Sequence, residues 1–255
     1  MCTLVTLIRP GHDWPLIIAA NRDEMRDRPS KAPARHWEDR DHVTAGLDEL
    51  AGGTWLGMND DGVVAGILNR INSLGPADDK RSRGELPLEA LDHADARTAA
   101  EALSALNPDA YRPFNMVIAD ASESYALVND GTGGTITIER MQPGVSMVTA
   151  YGMNDKQSDR IKYHLPRFQA APAPDPAAKD WFAWQTLMAD RSHATGAEWD
   201  GAMLIDSTDW RDFGTVSSSL IALPSHKDDA EGLTPNWLFT PTPTDNTSWH
   251  EIMLK

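Results

Sequence analysis

Short apolar runs punctuated by Gly and Pro dominate the start of the chain. Residues 3–8 (Thr-Leu-Val-Thr-Leu-Ile) and 16–20 (Leu-Ile-Ile-Ala-Ala) each have the length of a β-strand. The residues between them, Arg9-Pro10-Gly11-His12-Asp13-Trp14-Pro15, carry turn chemistry, so the pair reads as a hairpin. A hairpin returns the chain to its own beginning and brings Asn21-Arg22-Asp23-Glu24 beside Cys2. Residues 25–50 are charged and Pro-rich and read as a long excursion over the surface. Residues 52–69 return to strand, turn, strand, with Asp61-Gly62 as the turn.

Residues 84–106 space Leu86, Leu88, Leu91, Ala99 and Leu103 as helices do, with Asp95 as the cap of a second segment. Strand-like stretches follow at 115–119, 124–128, 135–138 and 145–149, which implies an antiparallel sheet. A helix is expected from Gln157 to Phe168. A Pro-rich stretch at 170–178 then leads to a helix over 180–190 with Trp181, Trp184, Leu187 and Met188 on one face. Residues 214–223 read as a strand, and 237–240 with 249–254 as a final hairpin. Strands, helices, then strands and helices again make an α+β order. No internal repeat is present, and residues 1–255 read as a single domain.

Composition narrows the classes. A 41% hydrophobic chain with nine Trp is globular. A formal net charge of −15 opposes nucleic acid and anionic membranes as partners. One cysteine excludes an internal disulfide and a cysteine-based metal centre; the eight His do not pair at metal-ligand spacing, so no metal and no cofactor is expected. No apolar run is long enough to span a membrane, and no secretory signal is seen. The expected location is cytoplasmic, where a thiol stays reduced.

That cysteine, at position 2, has a chemical use. Removal of Met1 would give Cys2 a free α-amine beside its thiol. Their unperturbed pKa values, about 7.7–8.0 and about 8.5, differ by less than ~1 unit, so proton transfer from sulfur to nitrogen costs about 1 kcal/mol. An amine can thus activate its own residue's nucleophile. Arg22 would favour thiolate or oxyanion, and Asp23 would orient the amine. Asn69, at a strand end, is either a donor to a developing oxyanion or a turn residue. Arg70, Arg81 and Arg83 form a local basic cluster that either holds a carboxylate or phosphate of the substrate or lies in a solvated loop.

Met1-Cys2 followed by Asn21-Arg22-Asp23-Glu24 resembles the NRDE protein family, also called the transport and Golgi organisation protein 2 family. Residues 53–59 (Gly-Thr-Trp-Leu-Gly-Met-Asn), 65–69 (Ala-Gly-Ile-Leu-Asn) and 82–84 (Ser-Arg-Gly) resemble its further blocks. That family is similar to N-terminal nucleophile hydrolases with an N-terminal cysteine. The resemblance implies a four-layer αββα sandwich of two antiparallel sheets covered by helices. It implies a hydrolase of a non-peptide C–N bond in a small amide, with Cys2, Arg22, Asp23, Asn69 and Asn154 as catalytic positions; Asn21 and, from the basic cluster, Arg70 and Arg83 are the expected substrate-binding ones, favouring an anionic amide. The reading of Asn154 as a capping or turn residue is slightly favoured over a site role. The alternative function is a non-enzymatic carrier or trafficking protein, since relatives are linked to haem handling, lipid metabolism and Golgi organisation. Relatives often carry Arg after the Gly214-Thr215 pair, where this chain has Val216.

Overall fold

The computed structural model describes residues 2–206, 212–225, 232–241 and 249–254. They form two compact units. The first joins Met1–Arg28 to Pro143–Leu254 and the second is Pro29–Gln142. Each holds one antiparallel sheet and two of the four described α-helices.

In the first unit β1 (Thr3–Ile8) and β2 (Leu16–Met25) form the expected hairpin, with Thr3 opposite Asn21 and Ile8 opposite Leu16. The strand does not stop at Ala20. Asn21, Arg22, Asp23 and Glu24 continue it to Met25, because β11 (Phe213–Leu223) pairs along the whole of β2 and satisfies its backbone. β10 (Gly144–Val148) pairs with the other side of β1; β12 (Asn236–Thr240) and β13 (His250–Glu251) extend the sheet beyond β11. The final hairpin is therefore real but shorter than its pattern suggests, and residues 242–248 lie outside the described residues.

Both faces of β1 and β2 are buried, which is why they read as apolar runs rather than as alternation. Val5, Leu7, Ile17 and Ala19 pack under α3 (Asp159–Ala170) and α4 (Phe182–Met188), against Ile161, Phe168, Trp181 and Trp184. A fully buried side chain of this size contributes about 1.5–3 kcal/mol. Ser158 caps α3 by accepting from Ile161 N–H. The Pro-rich 170–178 stretch is a turn of this unit, tied by mutual backbone bonds between Asp175 and Asp180.

The second unit corrects one expectation. Residues 25–50 are not a surface excursion. They finish β2 and then form β3 (Ser30–Ala34) and β4 (Val43–Asp48) at one edge of a seven-stranded sheet. Pro33 is tolerated because β3 is the edge strand. Val43 and Ala45 are completely buried, and two such residues inside a charged segment were too faint a pattern to read as a strand. The sheet continues through β5 (Leu56–Asn59), β6 (Val64–Asn69), β7 (Phe114–Ala119), β8 (Ser124–Asn129) and β9 (Thr137–Arg140). The helical stretch splits into α1 (Glu85–Leu91) and α2 (Ala96–Ser104), with Asp95 accepting from Thr98 N–H at the break. Leu86, Leu91, Ala99 and Leu103 pack on Val63, Ala65, Met116 and Ile118.

Candidate functional site

Cys2 is partly exposed as a residue, and its Sγ donates to the Asp23 main-chain carbonyl at 3.7 Å. Burial, and after it the Asp23 charge, push the thiol up from its ordinary value, while the Arg22 charge acts the other way. In the chain as it stands, Met1 precedes Cys2, so the nitrogen of Cys2 is a peptide amide and supplies no base.

Strand alternation separates the polar cluster into two faces. Thr3, Asn21 and Asp23 fall on the face that α3 and α4 cover, and Arg22 falls on the other. The Asp23 carboxylate is fully buried and engaged on both oxygens. Oδ2 pairs with Arg160 Nη1 at 2.9 Å, and Oδ1 accepts from Thr215 Oγ1 at 2.7 Å. Arg160 Nη1 also donates to Thr3 Oγ1 at 2.5 Å, and its Nε to the Asp200 carbonyl at 3.1 Å. Thr215 Oγ1 in turn accepts from Ile205 N–H. Thr3, Asp23, Arg160 and Thr215 are each at most 5% exposed. Burying such an ion pair costs hydration, which these hydrogen bonds offset in part.

Asn21 is committed elsewhere. Its Nδ2 donates to the Met188 and Met203 carbonyls at 3.0 and 2.8 Å, and its Oδ1 accepts from Ser218 Oγ at 2.5 Å. These bonds fasten β2 to the end of α4 and to β11. Asn154, at positive φ, accepts from Met147 N–H and donates to Ser146 Oγ, so its side chain shapes the turn after β10.

A cavity of about 150 Å³ opens beside this cluster. Thr149, Tyr151, Ser158, Asp159, Arg160 and Asp200 are among its lining residues; Cys2 is not. Arg160 belongs both to the cavity wall and to the Asp23 cluster. Among the described residues no group of His, Cys, Asp and Glu is arranged to hold a metal ion.

In the second unit Asn69 closes β6 opposite Phe114. Among the described residues no hydrogen bond engages its side chain. Arg70 donates to Asn115 Oδ1 at 2.6 Å. Arg83 donates to Ser73 Oγ, to the Pro113 carbonyl and to the Gly75 carbonyl. Arg81 pairs with Glu85 and Glu89. Thr54 N–H bonds the Gly84 carbonyl, and a Cβ on Gly53 would lie 2.5 Å from the Gly84 backbone, so this contact requires glycine.

A family model described as Transport and Golgi organisation 2 matches residues 1–227. The chain belongs to that family. The mouse Transport and Golgi organization 2 homolog is 37% identical over 115 residues, a stretch covering 44% of this chain and 41% of the mouse protein. The matched stretch thus spans about two fifths of that relative's length. Among solved structures, a Caenorhabditis elegans ortholog of N-acylethanolamine-hydrolyzing acid amidase matches with a TM-score of 0.54 at 12% identity, over 97% of this chain and 95% of that one. The C2A mutant of a conjugated bile acid hydrolase from Clostridium perfringens matches with a TM-score of 0.56 at 11% identity, over 99% and 92%. These likenesses show the N-terminal nucleophile hydrolase fold.

Against the family pattern, Val216 gains a structural meaning. Thr215 faces Asp23 and Ser217 faces Arg22, so Val216 is the extra residue of a bulge in β11, beside Arg22 and Asp23 of the Asn21–Glu24 block. Sequence reading missed Thr3, Thr215 and above all Arg160. The one available signal was an arginine sharing a helix face with Ile161, His164 and Phe168, where an apolar residue is the norm.

Proposed function

We propose that the chain is an N-terminal cysteine amidohydrolase that cleaves a non-peptide C–N bond in a small amide once Met1 has been removed. The observation that supports this best is the contact of the Cys2 thiol with Asp23 in the strand carrying the Asn21–Glu24 block. In this reading the α-amine of Cys2 takes the thiol proton as sulfur attacks the carbonyl carbon. By the family pattern, Asn69 together with backbone N–H groups would stabilise the oxyanion. The ammonium protonates the leaving nitrogen, a thioester remains, and water, activated by the same amine, releases the acid. Arg22 favours the thiolate, and the anchored Asp23 orients the ammonium. Asn154 supports β10 alongside β1, and Asn21 fixes β2. Arg70 and Arg83 favour an anionic substrate end. A cytoplasmic setting would keep the thiol reduced, and no described helix is long and apolar enough to cross a membrane.

The second reading is a carrier that keeps this fold without chemistry. The raised thiol favours it, because a neutral thiol without its own amine is a weak nucleophile. Intact mass of the native protein and turnover of a panel of fluorogenic amides separate the two. The hydrolase reading expects the mass without Met1, and loss of turnover in both Cys2→Ala and a variant with Ala inserted between Met1 and Cys2, each still folded. Native protein that retains Met1, or full function of Cys2→Ala, would falsify it and leave the carrier.

A further inference from the structure

Arg160 sits in the first turn of α3, the end of a helix where a cation is disfavoured by the macrodipole. It is nevertheless 3% exposed, and its position is accounted for by what it touches. One nitrogen, Nη1, reaches the side chain of Thr3 on β1 and that of Asp23 on β2. Thr3 is the residue directly after Cys2, and Asp23 supplies the carbonyl that receives the thiol. The guanidinium therefore ties together the two residues that set the position of the sulfur.

We propose that Arg160 is a positioning residue for Cys2. It clamps β1 to β2 at the level of the thiol and offsets the Asp23 carboxylate, so that this negative charge opposes thiolate formation less than it would unpaired. The Asp200 carbonyl on Nε and the Thr215 hydroxyl on Asp23 fix both partners from behind, so neither can swing away. This rests on Cys2 being the reactive group of the proposed hydrolase.

The test reads the sulfur directly. The rate of alkylation of Cys2 by iodoacetamide is measured against pH in the purified full chain and in folded Arg160→Gln and Arg160→Lys. Arg160→Gln leaves Asp23 without its cation and should raise the midpoint by at least half a pH unit, slowing alkylation at pH 7.5 at least threefold. Arg160→Lys restores the charge and should stay within twofold of the parent rate. An unmoved or lowered midpoint in Arg160→Gln, or a shift in Arg160→Lys as large as in Arg160→Gln, overturns the proposal. If Arg160→Gln does not fold, Thr3→Val removes only the clamp to β1 and should slow alkylation at least twofold, whereas the parent rate overturns the proposal. Alkylation needs no amide turnover. A parent chain that hydrolyses no amide would thus sink the proposed function while leaving this result readable.

Discussion

Asn21 and Asn69 look alike in the sequence, since each follows an apolar strand run, yet the molecule uses them differently. Asn21 makes three side-chain hydrogen bonds to its own unit and is 1% exposed. Asn69 ends its strand with no described partner for its amide. Asn59, on the strand before β6, behaves like Asn21: its amide bonds the Leu91 and His93 carbonyls and accepts from Val63 N–H. The Asn21 and Asn59 amides bridge elements of their own units, whereas no described hydrogen bond engages that of Asn69. The arginines divide in a similar way. Arg70, Arg81 and Arg83, grouped in the sequence, each brace their own unit, while Arg160, unremarked there, holds the Asp23 carboxylate.

The sharpest way to break the comparison is to truncate both asparagines. Asn21→Ala strands two buried carbonyls and a hydroxyl, at about 1–3 kcal/mol each, and should cost about 4 kcal/mol in urea unfolding. Asn69→Ala should stay within about 0.5 kcal/mol of the parent while lowering kcat for an amide substrate. Equal destabilisation by both would erase the distinction.

A smaller effect should appear with pH. His164 is completely buried in the first unit, and burial holds its pKa down to about 4, with Arg160 and Arg167 adding to the effect and Asp190 opposing it. In the unfolded chain it titrates near about 6.5. The folded state binds the proton later, so the stability from keeping His164 neutral is complete above pH 6.5 and is lost as pH falls towards 4. At about 1.4 kcal/mol per unit this reaches about 3 kcal/mol. His164→Gln should flatten that part of the stability profile; a His164→Gln profile parallel to the parent's would assign the loss to other groups.

The smallest effect concerns Arg83. Its bonds to Ser73, Gly75 and Pro113 predict a loss of about 1 kcal/mol in Arg83→Ala. If it also attracts substrate, KM should rise more for a carboxylate-bearing amide than for a neutral one. An equal rise for both would make Arg83 a brace alone.

Much of this was legible from residue pattern. The hairpin of β1 and β2, and with it the approach of Cys2 to Asp23, follows from two apolar runs separated by a Pro-Gly turn. Asp95 announced the start of α2 by its chemistry. What could not be read depended on distant partners. β2 continues through Asp23 only because β11 lies beside it, and Arg160 lies 137 residues from Asp23. The family resemblance marked positions but did not distinguish Asn21 as a fastener from Asn69 as a free amide.

The first unit is built from the two ends of the numbering, and this sets a clock during synthesis. Asp23 and Thr215 are 192 residues apart, so at about 5–20 residues per second roughly 10–40 s pass between their appearance on the ribosome. Through that interval β2 lacks β11, and the start of the chain has no finished sheet to join. If Met1 is removed as proposed, an aminopeptidase acting in that interval would meet β1 and β2 before β11 pairs with β2. On the proposed function, trimming of Met1 would thus have a window set by the rate of translation rather than by the stability of the finished sheet.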